Sequence, residues 1–262
     1  MQRRVHVALY LGAALALSGG TAGAQTEPGC SASDQAPDSI PMRTAPTAVA
    51  RALRVIVRDS ASTLVNVDAA GDRRGDWLKV RARGSAGWVA ATSVTCRLSS
   101  GAARDVIARD AARVIAAVKA GDMMALARQI HPAKGVRLSP YATIDTATDV
   151  VMTAAQLDRA FRDPRARVWG VDDGSGQPIR LPFRRYYRQF VYDREFAGAP
   201  LTTYNDPGEG TRKVWDAYPS AIVAAFAFPE TGTRAAESLR LVFERHHGAW
   251  YLAGIVHDGW TI

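Results

Sequence analysis

Ser238-Leu239-Arg240-Leu241-Val242-Phe243-Glu244-Arg245, then His246-His247-Gly248-Ala249, then Trp250-Tyr251-Leu252-Ala253-Gly254-Ile255-Val256: this run near the end of the chain decides the fold. Two apolar stretches of strand-forming residues flank a short glycine-containing turn, the pattern of a long β-hairpin that buries one face. Upstream, Ala221 to Phe228 is strongly apolar and reads as a further strand. Arg167 to Val171 and Gln177 to Leu181 read as a second hairpin, turning through Asp172-Asp173-Gly174-Ser175-Gly176.

Helices precede and interrupt these strands. Between Asp105 and Lys119, Ile107, Ala111, Val114, Ile115 and Val118 recur at helical spacing. Gly121 ends that helix, and Asp122 caps a second from Met123 to Ile130, which Pro132 prevents from continuing past His131. Thr153-Ala154-Ala155-Gln156 is a capping box for a third helix through Phe161. A fourth begins at Pro182 and gathers Phe183, Tyr186, Tyr187 and Phe190 on one face. Residues 102–262 therefore read as an α+β domain with helices packed on a curved antiparallel sheet.

The preceding stretch has a different grain. Ala50 to Val57, Leu64 to Val67, Trp77 to Val80 and Gly87 to Val89 are short apolar runs separated by Ala70-Gly71-Asp72, Arg74-Gly75-Asp76 and Arg83-Gly84-Ser85. Such spacing predicts a small all-β barrel over residues 39–98, preceded by a Pro-, Ser- and Gly-rich arm over 25–38. Trp77 and Trp88 are the candidate binding residues of this barrel, with core or hairpin support as their structural alternative.

The phrases Gly75-Asp76-Trp77-Leu78-Lys79-Val80 and Gly87-Trp88-Val89, with Met42-Arg43-Thr44-Ala45-Pro46 ahead of them, resemble bacterial Src-homology-3-like domains. That resemblance implies a barrel of the kind that tethers exported proteins to peptidoglycan or to peptides. In the second module, Lys119-Ala120-Gly121-Asp122 between two helices and the closing Gly248-Ala249-Trp250-Tyr251-Leu252 resemble nuclear-transport-factor-like cone domains. This second resemblance implies a conical pocket, which in different members binds small molecules, catalyses reactions or does neither.

The first residues predict the address. Arg3 and Arg4, the apolar run Val5 to Leu17 and the small residues Ala22-Gly23-Ala24 form the three regions of a secretory signal peptide over residues 1–24. The apolar run is shorter than the roughly 20 residues a membrane-spanning helix needs, so a periplasmic or secreted protein, soluble after cleavage and without a membrane span, is expected. Cys30 and Cys96 are the chain's two cysteines, and in an exported protein they predict one disulfide.

The formal charge is +8, and loss of Arg3 and Arg4 from the 33 basic residues leaves 31 against 25 acidic ones, about +6. A basic exported protein suits anionic or envelope partners: peptidoglycan, a wall peptide or an envelope protein. The cations are dispersed along the chain, which argues against nucleic acid. The densest group, Arg180, Arg184, Arg185 and Arg188, reads as a solvated helical face.

For chemistry, His131, Tyr141, Tyr187, His257 and Asp258 are the candidate pocket residues if the sheet curves into a cone. His131 has a second reading, an imidazolium at the negative end of a helix dipole. His246 and His247 read as solvated turn residues. Nucleophile elbows, HExxH, phosphate loops, nucleotide fingerprints and calcium loops are absent from the sequence, so neither a cofactor nor a metal is expected. The leading expectation is a non-catalytic exported envelope protein binding wall material, a peptide or a small ligand. The alternatives are a periplasmic hydrolase or isomerase with a pocket around His257, and an inhibitor or immunity protein.

Overall fold

The computed structural model describes residues 29–33, 36–57, 64–66, 73–232 and 235–259. The expected signal peptide lies outside these residues. The first part of the chain forms strands β1 (Gly29–Ala32), β2 (Ser39–Arg43), β3 (Ala52–Val57), β4 (Leu64–Asn66), β5 (Arg73–Arg74), β6 (Trp77–Ala82), β7 (Ser85–Ala90) and β8 (Val94–Arg97). They pair antiparallel in the order β3-β2-β7-β6-β4-β1-β8, with β5 against β6. Ile40, Met42, Ile56, Val80 and Val89 fill its small core. Gly87 is required where β7 crosses β2, because a Cβ there would stand 2.6 Å from Met42 Cγ.

Part of the arm expected over 25–38 is a strand instead. β1 lies between β4 and β8, with Cys30 directly opposite Cys96 and the two sulfurs bonded. Gly-Cys-Ser-Ala has no alternation to announce a strand; pairing on both sides imposes it.

The second part begins with α1 (Ser100–Ala120) and α2 (Met123–Ala127), followed by β9 (Val136–Ser139), β10 (Val150–Met152) and α3 (Ala154–Arg159). Next come β11 (Ala166–Val171), β12 (Pro178–Pro182), α4 (Phe183–Phe190), β13 (Leu201–Tyr204), α5 (Glu209–Ala217), β14 (Ile222–Phe228), β15 (Glu237–His246) and β16 (Ala249–Asp258). The Ser99 side chain caps α1, Gly121 ends it at φ 63°, Asp122 caps α2, and both bonds of the Thr153–Gln156 capping box are present. α2 is shorter than its pattern, because His131 N–H leaves the helix to donate to Leu252 O on β16.

Six strands form the main sheet in the order β10-β9-β16-β15-β14-β13, antiparallel except where β16 meets β9. β11 and β12 form a separate hairpin. The residues Ile222, Ala224, Phe226, Leu239, Leu241 and Ile255 pack on one face against α1, α3 and α4. The opposite face is not left to solvent. Val223, Val242, Ala253 and Val256 are covered by Val214 and Tyr218 of α5 and its following turn. A strand reading Ile-Val-Ala-Ala-Phe-Ala-Phe is apolar on both faces, so both require cover. A bulge at Val242/Phe243 shifts the β15–β16 register by one. Arg97 and Asn205 join the two sheets: Arg97 Nε donates to Pro219 O with its guanidinium over Trp215, and Asn205 Nδ2 donates to Leu98 O.

Candidate functional site

The interior beneath α4 is filled. Phe183, Tyr186, Tyr187 and Phe190 follow the i, i+3, i+4, i+7 spacing, so they project from one helical face and all four are buried. Trp169 from β11 stacks on Tyr186 at 4.2 Å between centroids, and Phe196 is fully buried beyond them. The Arg184, Arg185 and Arg188 side of the same helix is exposed, while Arg180 belongs to β12 rather than to the helix.

At the edge of this aromatic core stands His257, only 2% exposed, near the end of β16. Its ring meets Phe190 and Phe196 edge-on. Nδ1 is 3.2 Å from Pro140 O, and Nε2 is 3.1 Å from Asp193 Oδ2 and 3.5 Å from Glu237 Oε1. The hairpin explains the last of these contacts. Glu237 opens β15 two residues before Leu239, which pairs with His257, so strand alternation puts Glu237 and His257 on one face. Asp193 arrives from the turn that follows α4. Arg194 beside it donates to Glu237 Oε2 at 2.9 Å and lies 3.7 Å above the Phe228 ring.

Burial alone would depress the His257 pKa, but its hydrogen bonds to Asp193 and Glu237 and their charges outweigh that and hold it at about 9. Glu237 is held down at about 2, chiefly by its hydrogen bond to His257. Burial pushes Asp193 up, against the pull of the imidazolium. Because the folded His257 value exceeds the unfolded one of about 6.5, the stability it contributes is fully present below pH about 6.5 and is lost as pH rises through about 9. In buffer containing a chelator, the melting temperature should therefore fall between pH 7 and 9.5 by the equivalent of roughly 1–3 kcal/mol. His257→Gln should flatten that slope. A wild-type melting temperature constant across this range would refute the ion-pair assignment.

The sequence-chosen residues do not all meet in one pocket. Asp258, next to His257, points to the other face and binds Arg240. His131 pairs near Leu252, five residues earlier on β16 and roughly 17 Å away along the strand. Its Nδ1 accepts N–H bonds from Ala133 and Lys134, and burial first, then His246, lowers its pKa. That is a neutral imidazole, which corrects the imidazolium expected at the helix end. His246 packs 5.0 Å from the His131 ring rather than standing free in the turn; His247 is the exposed one. Tyr187 OH donates to Val118 O, and Tyr141 OH donates to Asp172 Oδ2 at 3.1 Å. Tyr141 and Asp258 share a small cavity of about 150 Å³ that His257 does not line.

In the first sheet, Trp88 is buried at 8% exposure, with Lys79 Nζ 5.9 Å and the Arg74 guanidinium 6.0 Å from its ring; Trp77 is half-buried.

Sequence reasoning missed Asp193 and Glu237. Counting outward from the His246–Ala249 pair would set His257 opposite Ser238 and turn Glu237 to the other face; the bulge at Val242/Phe243 reverses this.

A larger groove, about 700 Å³, runs between α1 and β13 and is lined by Arg104, Ile115, Thr202, Thr203, Tyr204 and Phe226 among others. β13 is the edge of the main sheet, and among the described residues no strand pairs with its outer side. Asn205 N–H bonds inward to Val223 O, so alternation turns the peptide groups of Thr202 and Tyr204 outward. Fold and site together define an α+β protein with a disulfide-linked β-sheet ahead of it, a closed aromatic core and an open sheet edge. Searches against protein-family models, curated proteins and solved structures find no match. Among the described residues, no helix is long and apolar enough to cross a membrane.

Proposed function

We propose that this is a non-catalytic exported envelope protein, periplasmic or secreted, that binds an extended peptide or wall material. The observation that carries the reading is the free outer edge of β13 beside the α1 groove. There, among the described residues, no strand pairs with the outward Thr202 and Tyr204 backbone groups, and an adjoining trough can take an incoming strand's side chains. The packed interior supports surface recognition over capture of a small molecule inside the cone. The signal-peptide pattern, the bonded cysteines and the Src-homology-3-like phrases around Trp77 and Trp88 support the envelope address, with the first sheet as a wall-facing module.

Sedimentation with purified peptidoglycan tests this. The wild-type protein should pellet with the wall material. Thr202→Pro, which removes an outward N–H while leaving the β14 ladder intact, should reduce recovery in the pellet several-fold. Equal recovery in the supernatant with and without wall material would sink the wall-binding reading. Unchanged pelleting of Thr202→Pro would move binding off this edge.

A further inference from the structure

We propose that Asp193, Glu237 and His257 bind a divalent transition-metal ion of the zinc class, which fastens the turn after α4 to the end of the β15–β16 hairpin. The inference is independent of peptide binding at β13.

Three observations carry it. The ligand-type atoms of all three residues lie within 4.8 Å of one another. The Nε2 distances of 3.1 Å to Asp193 Oδ2 and 3.5 Å to Glu237 Oε1 match a shared ion: ligands about 2.0–2.2 Å from a tetrahedral metal stand roughly 3.4 Å apart. Second, Nδ1–H is held by Pro140 O, so Nε2 is the ring nitrogen aimed at the two carboxylates, where a divalent ion would take the place of its proton. Orientation of a ligating imidazole by a backbone carbonyl is the usual outer-shell arrangement at metal sites. Third, Arg194 occupies Oε2 of Glu237, so Oε1 is the oxygen presented to the shared point.

The charges agree. With a neutral imidazole the two carboxylates carry −2, of which Arg194 at Glu237 Oε2 offsets one, so the cluster still presents net negative charge to a cation, whereas one Nε2 proton serves one carboxylate well and the other poorly. One nitrogen and two carboxylates suit zinc-like ions better than calcium, which takes six to eight oxygens. Access is open on one side, since the Asp193 and Glu237 side chains are 25% and 20% exposed while His257 is closed off behind them.

The test is calorimetric titration of the chelator-treated full chain with Zn²⁺, and separately with Ca²⁺. The expected result is one zinc per chain at this site, with affinity reduced at least ~100-fold in Asp193→Asn and in His257→Gln. His246→Ala, which removes the imidazole beside His131, should leave it unchanged. Zinc-edge absorption should report one imidazole among oxygen donors, and zinc should raise the melting temperature of the wild type but not of Asp193→Asn. Asp193 is partly exposed, so if His257→Gln fails to fold, Asp193→Asn and the absorption spectrum decide. Absence of zinc uptake, uptake indifferent to Asp193→Asn, loss of uptake in His246→Ala, or calcium binding as tightly as zinc would each overturn the proposal.

Discussion

Trp169→Ala is expected to destabilise the α+β part of the chain by about 3–5 kcal/mol, the range for removing a buried large aromatic. Trp169 is fully buried and stacks on Tyr186 at 4.2 Å with 19° between planes, while Phe183 touches it from the side. Its Nε1–H donates to Leu181 O at 2.8 Å, tying the indole across its own hairpin to β12. Alanine removes the ring contacts and leaves the carbonyl to find another donor, which adds roughly 1 kcal/mol. Trp169→Phe keeps part of the stack but not the donor and should cost about half as much. Chemical denaturation followed by far-ultraviolet circular dichroism measures both. A loss under about 1 kcal/mol for alanine would mean that the interior under α4 is looser than its packing indicates, and the argument for surface recognition would weaken with it.

That interior was legible because the sequence carries it as a period. Phe183, Tyr186, Tyr187 and Phe190 sit at helical spacing, so burial of one face follows from the spacing alone. The closing hairpin was legible from two strand-forming runs about a glycine-containing turn. The one-face burial expected of it is not what forms, since both of its faces are covered over much of its length. The elements that escaped have no period of their own. α5 buries only Thr211 and Val214 over nine residues, and it forms because the doubly apolar β14 needs a second cover. β1 has four residues and exists by pairing with β4 and β8. The bulge at Val242/Phe243 is invisible to alternation, yet it decides which residue His257 opposes.

The candidate site was half legible. His257 could be selected as an uncommon residue near the end of an apolar strand, but its partners come from other elements. Asp258 was the wrong carboxylate for a geometric reason, because neighbours on a strand point apart. Glu237 was hidden by the bulge, since regular counting from the turn puts it on the face opposite His257. Asp193 was hidden too, since its place depends on how the chain leaves α4 at Val191 and how Arg194 packs on Phe228. His131 failed for a similar reason: the bridge to Leu252 takes the chain out of helix and turns Nδ1 onto the Ala133 and Lys134 amides.

Replacing Cys30 and Cys96 together by serine, or reducing the bond, should lower the stability of the first sheet by about 4 kcal/mol, the loop-closure value for cysteines 66 residues apart. The effect should be local. Cys30 is 1% exposed and belongs to the small core with Ile40, Met42, Val80 and Val89, whereas α1, α4 and the main sheet share a different one. A sheet of this size has little apolar area to set against chain entropy, so a cross-link between β1 and β8 is a large fraction of what holds it. Limited proteolysis with and without reductant reads the difference. Reduced protein should be cut within residues 29–97, and a fragment beginning near α1 should survive. Identical digestion in both conditions would show that the sheet stands without the bond. Such dependence would also bear on where the chain works: a module held by one disulfide folds dependably only in an oxidising compartment, so a strong reductant effect would support the exported address from physical chemistry rather than from the leader pattern.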